Sequence, residues 1–338
     1  MKKINIKILI LIFLFSLPVS SEEININSQS MNIEENGNIV KGNNAEATFP
    51  KKNIFVKSKK IIHDKKKKLA IFKEDVEFID LDNNLQIFGQ HVVYKFDEDL
   101  IYGVGETLIE FDNRYIIKSK DIFYNPEIKK IYSNKKTIIN DDKNNIYYLH
   151  DRFKIDLKKE IIKSNKASII DNKNNKYFFE DLIIDLKINE IIGRELKLDF
   201  ENSYFGNKEN DPILKGRGAI SNEKELKIYK AVFSTCNTNK KKCRGWELSS
   251  DEFVHDKIKK IFEYKNSWLS LFDKKIFYFP YFNHPDPSVK RKSGFLTPSY
   301  STSQNLGFSI NTPYYKVLSS DRDITFNPRF YAERSYLL

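Results

Sequence analysis

From Leu69 to about Phe200 the chain alternates apolar-rich segments with short polar clusters. The segments begin near Leu69, Leu85, Leu100, Arg114, Lys130, Asn145, Glu160, Lys176 and Glu190, a step of about 15 residues. Between them lie Asp82-Asn83-Asn84, Asp97-Glu98-Asp99, Asp112-Asn113, Asn125-Pro126, Asp141-Asp142-Lys143-Asn144, Asn172-Lys173-Asn174-Asn175 and Lys187-Ile188-Asn189. Asp and Asn favour turns because their side chains bond local backbone and tolerate left-handed geometry. Val, Ile, Tyr and Phe dominate the segments and no apolar stripe of period 3.6 persists, so the pattern predicts an all-β meander or solenoid-like stack. Alternation inside the segments is broken in places: Val92-Val93-Tyr94, Ile116-Ile117 and Ile183-Ile184 put apolar residues on both faces. Three arrangements produce this: bulges, burial of both faces, or a sheet folded over like a V around an apolar trough.

A second pattern begins near the end. Lys275 to Tyr300 is an aromatic, proline-broken run that meets the basic knot Lys290-Arg291-Lys292. Beyond it Leu306, Phe308, Ile310 and Tyr314 alternate with Gly307, Ser309, Asn311 and Tyr315. Ile324, Phe326, Phe330 and Ala332 alternate with Thr325, Asn327, Arg329 and Glu333. One apolar and one polar face in strands of about ten residues predicts the wall of a transmembrane β-barrel. Three such strands cannot close, and hydrocarbon does not tolerate an open edge. The expectation is therefore an incomplete barrel, from a fragment of a longer protein or a truncated reading frame.

The first residues predict export. Lys2, Lys3 and Lys7 precede the apolar run 8–15, and Pro18-Val19-Ser20-Ser21 offers small residues for cleavage after Ser21. As a membrane anchor the run is too short to span a bilayer. No cysteine lies near the cut, which argues against a lipoprotein. The mature chain is then expected in the periplasm or outer membrane of a Gram-negative cell.

Composition adds less. The 338 residues hold 26 Phe and 18 Tyr against 12 Gly, which favours sheet. The net charge of +11 is compatible with nucleic acid or with phosphorylated lipids. The interleaving of acidic residues with the lysines, and the joint abundance of Lys, Ile and Asn, fit an AT-rich genome equally well. His63, His91, His150, His255 and His284 are scattered outside any nucleophile or metal motif, Gly103-Val104-Gly105 is too short for a phosphate loop, and the carboxylates lie mostly in turns. No enzyme activity, cofactor or metal is expected, although a carbohydrate-active β-solenoid would also bring carboxylates together across rungs. Cys236 and Cys243 follow an export signal and are expected oxidised. Two cysteines seven apart without a companion histidine make a poor zinc site.

One series of motifs is more specific. Pro212-Ile213-Leu214-Lys215-Gly216-Arg217-Gly218, Ala231-Val232-Phe233-Ser234-Thr235-Cys236, Trp246-Glu247-Leu248, His255-Asp256, Phe277-Tyr278-Phe279-Pro280-Tyr281, Arg291-Lys292-Ser293-Gly294-Phe295-Leu296 and Pro313-Tyr314-Tyr315 follow in that order. In residues and spacing this series resembles the LptD family of lipopolysaccharide-assembly proteins, also called OstA or Imp. The motifs cover about Pro212 to Tyr336, and the upstream repeats resemble the family's OstA-like periplasmic domain.

The resemblance implies an all-β chain: an OstA-like V-shaped β-jellyroll (β-taco) followed by the first strands of an outer-membrane β-barrel. The expected division is a signal peptide over 1–21, a linker over 22–45, the jellyroll over 46–284 and barrel strands over 285–338. It implies transport of lipopolysaccharide from an LptA-type periplasmic bridge protein, a barrel plugged by an LptE-type lipoprotein, and release through a lateral seam. Edge-strand addition near Ala45 to Val56 is the expected docking mode for the bridge. Within the family the cysteine matching Cys236 can pair with cysteines near the end of the barrel. Cys243 lacks a counterpart in the best-known pattern, so a Cys236–Cys243 bridge and the family clamp both stay open.

Acyl chains need an apolar trough along the whole path, since each buried methylene is worth about 0.8 kcal/mol. Candidate lining residues are Phe78, Val92, Tyr94, Ile109, Phe111, Ile122, Tyr124, Phe153, Ile155, Phe178 and Ile183; for any one of them ordinary core packing is the plainer role. Pro298 and Pro313 fall inside the first two expected barrel strands, where proline cannot donate to the ladder. They match the family's lateral-gate positions, or they shape strand ends as Pro328 would in the third. The rival reading is a stand-alone LptA-like bridge protein without a functional barrel.

Overall fold

The computed structural model describes residues 24–201, 213–234, 245–289, 291–304, 307–332 and 336–337. The expected signal peptide, Cys236, Cys243, Lys290 and Leu306 lie outside these residues. The chain divides into two units between Lys129 and Lys130.

The first unit is a meander of seven strands: β1 (Asn25–Glu34), β2 (Ile39–Phe49), β3 (Ile54–Asp64), β4 (Leu69–Asp80), β5 (Leu85–Lys95), β6 (Leu100–Phe111) and β7 (Tyr115–Asn125). Each runs antiparallel to the next. The strands start within one residue of Leu69, Leu85, Leu100 and Arg114, where the sequence pattern puts them. The turns carry the chemistry expected of Asp and Asn: Asp64 and Asp80 each accept a backbone N–H three residues on, and Asn84, Asp99 and Asn113 take left-handed φ of 46°, 46° and 52°. The segment 22–45, expected as a linker, instead holds β1 and the first half of β2. Its strands are short of large apolar residues, and β1 is mostly exposed, so the hydrophobic pattern hides them. Ala45 to Thr48 is paired on both sides, by β1 and β3. The docking edge expected there is therefore covered, and β1 is the outer strand of this meander.

The second unit opens with two strands that are each split in the middle. β8 (Lys130–Ser133) and β9 (Thr137–Asp141) pair with β11 (Phe153–Asp156) and β10 (Ile146–Leu149), respectively. The meander continues through β12 (Ile161–Ile170), β13 (Lys176–Asp185), β14 (Glu190–Asp199), β15 (Ile213–Ser221), β16 (Glu225–Ser234), β17 (Trp246–Asp256), β18 (Ile261–Leu271) and β19 (Lys274–Pro285). Two turns here are copies of one network. Asp141 accepts from the Asn145 amide (2.7 Å) and the Tyr147 hydroxyl (2.9 Å), and Asp171 accepts from Asn175 (2.9 Å) and Tyr177 (3.0 Å).

Beyond β19 come short strands. β20 (Gly294–Phe295), β23 (Tyr314–Val317) and β24 (Asp323–Phe326) form one sheet; β21 (Ser299–Ser303), β22 (Gly307–Asn311), β25 (Arg329–Tyr331) and β26 (Tyr336–Leu337) form another. Pro298, Pro313 and Pro328 lie in the gaps between β20 and β21, β22 and β23, and β24 and β25. The two gate candidates thus sit between strands rather than inside them. Each lacks the N–H that would carry pairing across the gap, while the carbonyls of Pro313 and Pro328 still accept from Leu296 (2.8 Å) and Thr312 (3.1 Å). Phe308 and Ile310 are exposed while Ser309, between them, is 3% exposed, so the apolar side of this hairpin faces outward.

The main strands share a device that explains the broken alternation. Inward positions in β5 run Leu85, Ile87, then Val92, Tyr94; in β7 Tyr115, Ile117, Ser119, then Ile122, Tyr124; in β16 Leu226, Ile228, then Ala231, Phe233. The inward phase slips by one residue at mid-strand. Left-handed residues mark the slip: Asn44, Glu74, Asp75, Gly105 and Asp121 in the first unit, and Lys166, Glu195, Lys230 and Asn266 in the second. A bulge of this kind bends its strand, and aligned bulges crease the sheet.

Candidate functional site

The inner face along the crease is small and the inner face beyond it is large. Gly42, Ser58, Gly103, Thr107 and Ser119 line the crease of the first unit; Ser133, Thr137, Ser164, Gly193, Gly216, Ala219, Ser250 and Ser267 line that of the second. Toward the rims stand Phe72, Phe78, Tyr94, Ile101 and Tyr124, then Ile155, Leu198, Phe253 and Tyr264, all buried, while Phe153 and Leu182 stand beside Ser164 and Gly193 of the crease. Outside, the crease carries ion pairs, among them Lys60–Glu74 (2.6 Å), Lys120–Glu106 (3.3 Å), Arg194–Asp181 and Lys230–Asp251 (2.7 Å). They are exposed and each contributes little to stability.

The two halves of the creased sheet meet. In the first unit, pairing puts Phe49, Ile54, Asp80 and Leu85 on one rim and Leu69, Lys95, Leu100 and Tyr124 on or beside the other. Phe49 packs edge-on against Tyr94 (5.0 Å between ring centroids) and Phe96 (5.9 Å), across the trough. Polar ties close the mouth above them. Lys52 donates to Asp99 (2.6 Å) and to the Tyr94 hydroxyl (2.8 Å), and Tyr124 donates to Asp80 of the opposite rim. In the second unit Lys143, in the β9–β10 turn, reaches Glu223 of the opposite rim at 2.7 Å.

Nine of the eleven predicted trough residues point inward and are buried: Phe78, Val92, Tyr94, Ile109, Phe111, Ile122, Tyr124, Phe153 and Ile155. Phe178 and Ile183 do not join them. The inward phase of β13 runs Phe179, then Leu182 and Ile184, so both predicted residues lie on the outer face. Phe178 is 37% exposed, with the Lys197 ammonium over its ring. The two stand five residues apart, on either side of the slip, and each is one residue out of the inward phase; the Phe179 ring lies where a Cβ on Gly193 would stand.

All five histidines have their pKa values lowered, in every case chiefly because burial disfavours the charged form. Lys65, Lys73 and Lys136 add repulsion at His63, His91 and His150. At His255 the shift is opposed by Asp286, whose carboxylate lies 2.7 Å from Nε2. Asp286 also caps the turn after β19, accepting from the Ser288 amide at 2.7 Å. Native histidines that hold protons less well than the unfolded chain stabilise the fold above pH ~6.5, and that contribution is lost as pH falls toward their native values. The thermal unfolding midpoint should therefore drop between about pH 7.5 and 5.5, and His255→Gln should flatten the slope; a flat wild-type profile would refute this.

The described residues thus form two all-β antiparallel units, each a creased sheet around an apolar interior. No family model matches the chain. It is 32% identical over 123 residues to the LPS-assembly protein LptD of Nitrosococcus oceani, covering 36% of this chain and 16% of the relative. Similar matches are LptD of Shewanella oneidensis (36% over 115 residues; 34% and 14%) and of Pseudoalteromonas translucida (30% over 159 residues; 45% and 21%). The chain is similar to the LPS-assembly protein LptD over about a seventh to a fifth of the length of these proteins. Among solved structures, LptH, described as the LptA-homologous periplasmic component of a lipopolysaccharide transport device in Pseudomonas aeruginosa, aligns at 13% identity over 48% of this chain and 76% of that one, with a TM-score of 0.19. That score is too low to support a fold assignment.

Proposed function

We propose that the chain carries lipopolysaccharide toward the outer leaflet of the outer membrane, holding the acyl chains between the leaves of its creased sheet. The observation that carries this reading is the apolar interior itself, built from the buried face of the strands from β2 to β18. The relatives are named as LPS-assembly proteins, which supports lipopolysaccharide as the cargo. A photo-crosslinking residue at Phe78, Ile122 or Phe153 is expected to capture lipopolysaccharide in cells, and one at Phe178 or Ile183 is not. Equal capture at both sets would sink the proposal.

The outward apolar residues Phe295, Phe308, Phe326 and Phe330 support reading 285–338 as lipid-facing wall of a barrel. They favour it over the rival, an LptA-like bridge protein, which needs no such surface. On this reading the chain lies at the outer membrane with its jellyroll in the periplasm, takes cargo from an LptA-type bridge and works with an LptE-type plug lipoprotein. Pro298 and Pro313 then keep pairing weak beside the lateral seam. In the full-length protein Pro298→Ala with Pro313→Ala should tighten the seam and slow surface delivery of lipopolysaccharide; unchanged delivery would assign the prolines to strand shape alone.

A further inference from the structure

One lysine of the second unit is half-buried without an acid against it. Lys257, in the β17–β18 turn, donates from Nζ to the Ser221 hydroxyl (3.0 Å) and the Asn222 carbonyl (2.5 Å). Among the described residues no carboxylate lies within ion-pairing distance of it. Asp171 and Glu223 attract it only from beyond contact, and Lys173 repels it. Those acids are engaged elsewhere, Glu223 by Lys143 and Asp171 by Asn175 and Tyr177. Burial accordingly pushes the Lys257 pKa down. The comparable rim lysine of the first unit, Lys52, has Asp99 at 2.6 Å. An ammonium partly withdrawn from water without a counter-charge in contact is disfavoured, and one of its three protons is left for a further acceptor.

The location gives that acceptor a chemistry. Lys257 belongs to the rim of the β15–β16 and β17–β18 turns; Lys143 and Lys173 belong to the opposing rim of the β9–β10 and β12–β13 turns. The Lys143–Glu223 tie that spans them is exposed and therefore weak. We propose that this part of the mouth binds a phosphate monoester, bridged by Lys257 from one rim and Lys143 and Lys173 from the other, on the sugar headgroup of a glycolipid. The inference rests on the trough reading, because acyl chains between the leaves put the headgroup at the mouth. Charge-assisted hydrogen bonds to a dianion supply what the protein itself does not.

The test measures binding of a fluorescent bis-phosphorylated lipid A and of its enzymatically dephosphorylated form to the full chain. Lys257→Gln should weaken binding of the phosphorylated lipid about tenfold and leave the other unchanged, with Lys257→Arg restoring most of the affinity. Should Lys257→Gln fail to fold, Lys173→Gln is read the same way with a smaller effect. Unchanged binding of both lipids, or equal loss of both at unchanged thermal stability, overturns the subsite and leaves the trough standing. If neither lipid binds the wild-type chain, the trough reading fails. Inorganic phosphate then decides the subsite: no protection of Lys257 from amine acylation overturns it outright, and protection overturns its assignment to a lipid headgroup in favour of free phosphate.

Discussion

Gly216→Val is expected to destabilise the second unit by about 3 kcal/mol, lowering its unfolding midpoint by roughly 6–12 °C. Gly216 sits on the inner face of β15 at the crease. A Cβ there would meet Ile228 Cγ2 at 2.1 Å and the Tyr229 carbonyl oxygen at 3.1 Å. Ile228 is fully buried and β-branched, so it cannot swing away, and the carbonyl belongs to the paired backbone of β16. Gly218, two residues on, faces only a Tyr229 ring carbon at 3.7 Å, and Gly218→Ala should be nearly neutral. Chemical denaturation of both variants checks the contrast. If Gly216→Val matched wild type, the leaves would not approach closely at the crease.

The same glycine shows what the sequence revealed and what it withheld. The motif Lys215-Gly216-Arg217-Gly218 contributed to the family resemblance, yet its physical meaning depends on which residue lies across the fold. Strand starts from Leu69 to Glu190 were legible because Asp and Asn turns recur with local chemistry that needs no tertiary information. The crease was legible only as a defect in alternation, at Val92-Val93 and Ile183-Ile184. A reader who counts small residues at mid-strand (Ser58, Ser119, Ser164, Ser250, Ser267) finds the fold line directly. Phe178 and Ile183 were misassigned because Phe178-Phe179 and Ile183-Ile184 each offer an apolar residue to both faces, so the pattern alone does not say which of the two points inward. The strands β1 and β2 were missed for the opposite reason: Ser28, Ser30, Asn43 and Asn44 satisfy backbone pairing without an apolar face. Nor could the rim ties be read from sequence. Lys52 and Asp99, or Asp80 and Tyr124, are more than 40 residues apart and meet only once the sheet is creased.

Tyr124→Phe should lower stability by about 2 kcal/mol and, on the trough reading, speed lipid loading. Tyr124 ends β7 on one rim of the first unit, and its hydroxyl donates to the buried Asp80 carboxylate on the other. Burial, and secondarily the Asp80 charge, push the phenol's pKa upward, so it keeps the proton it donates. Asn83 completes the tie, giving its amide to Tyr124 Oη (2.9 Å) and to Asp80 (2.8 Å). Phenylalanine preserves the ring and its packing, so only the bond across the mouth is removed. Asp80 keeps its bonds from Asn83, which holds the loss to one charge-assisted hydrogen bond rather than an unpaired buried charge. A tie worth about 2 kcal/mol in the closed state, and absent in the open one, sets their ratio: its loss raises the open population by up to about 30-fold. With a crosslinker at Phe78, Tyr124→Phe should therefore reach half-maximal lipopolysaccharide capture sooner than the parent while melting earlier. A variant that melts earlier and loads at the parent's rate would show that the mouth of the first unit does not limit entry. Asp80→Asn separates the contribution of charge, since the amide oxygen still accepts from Tyr124 but without the ionic share of the bond.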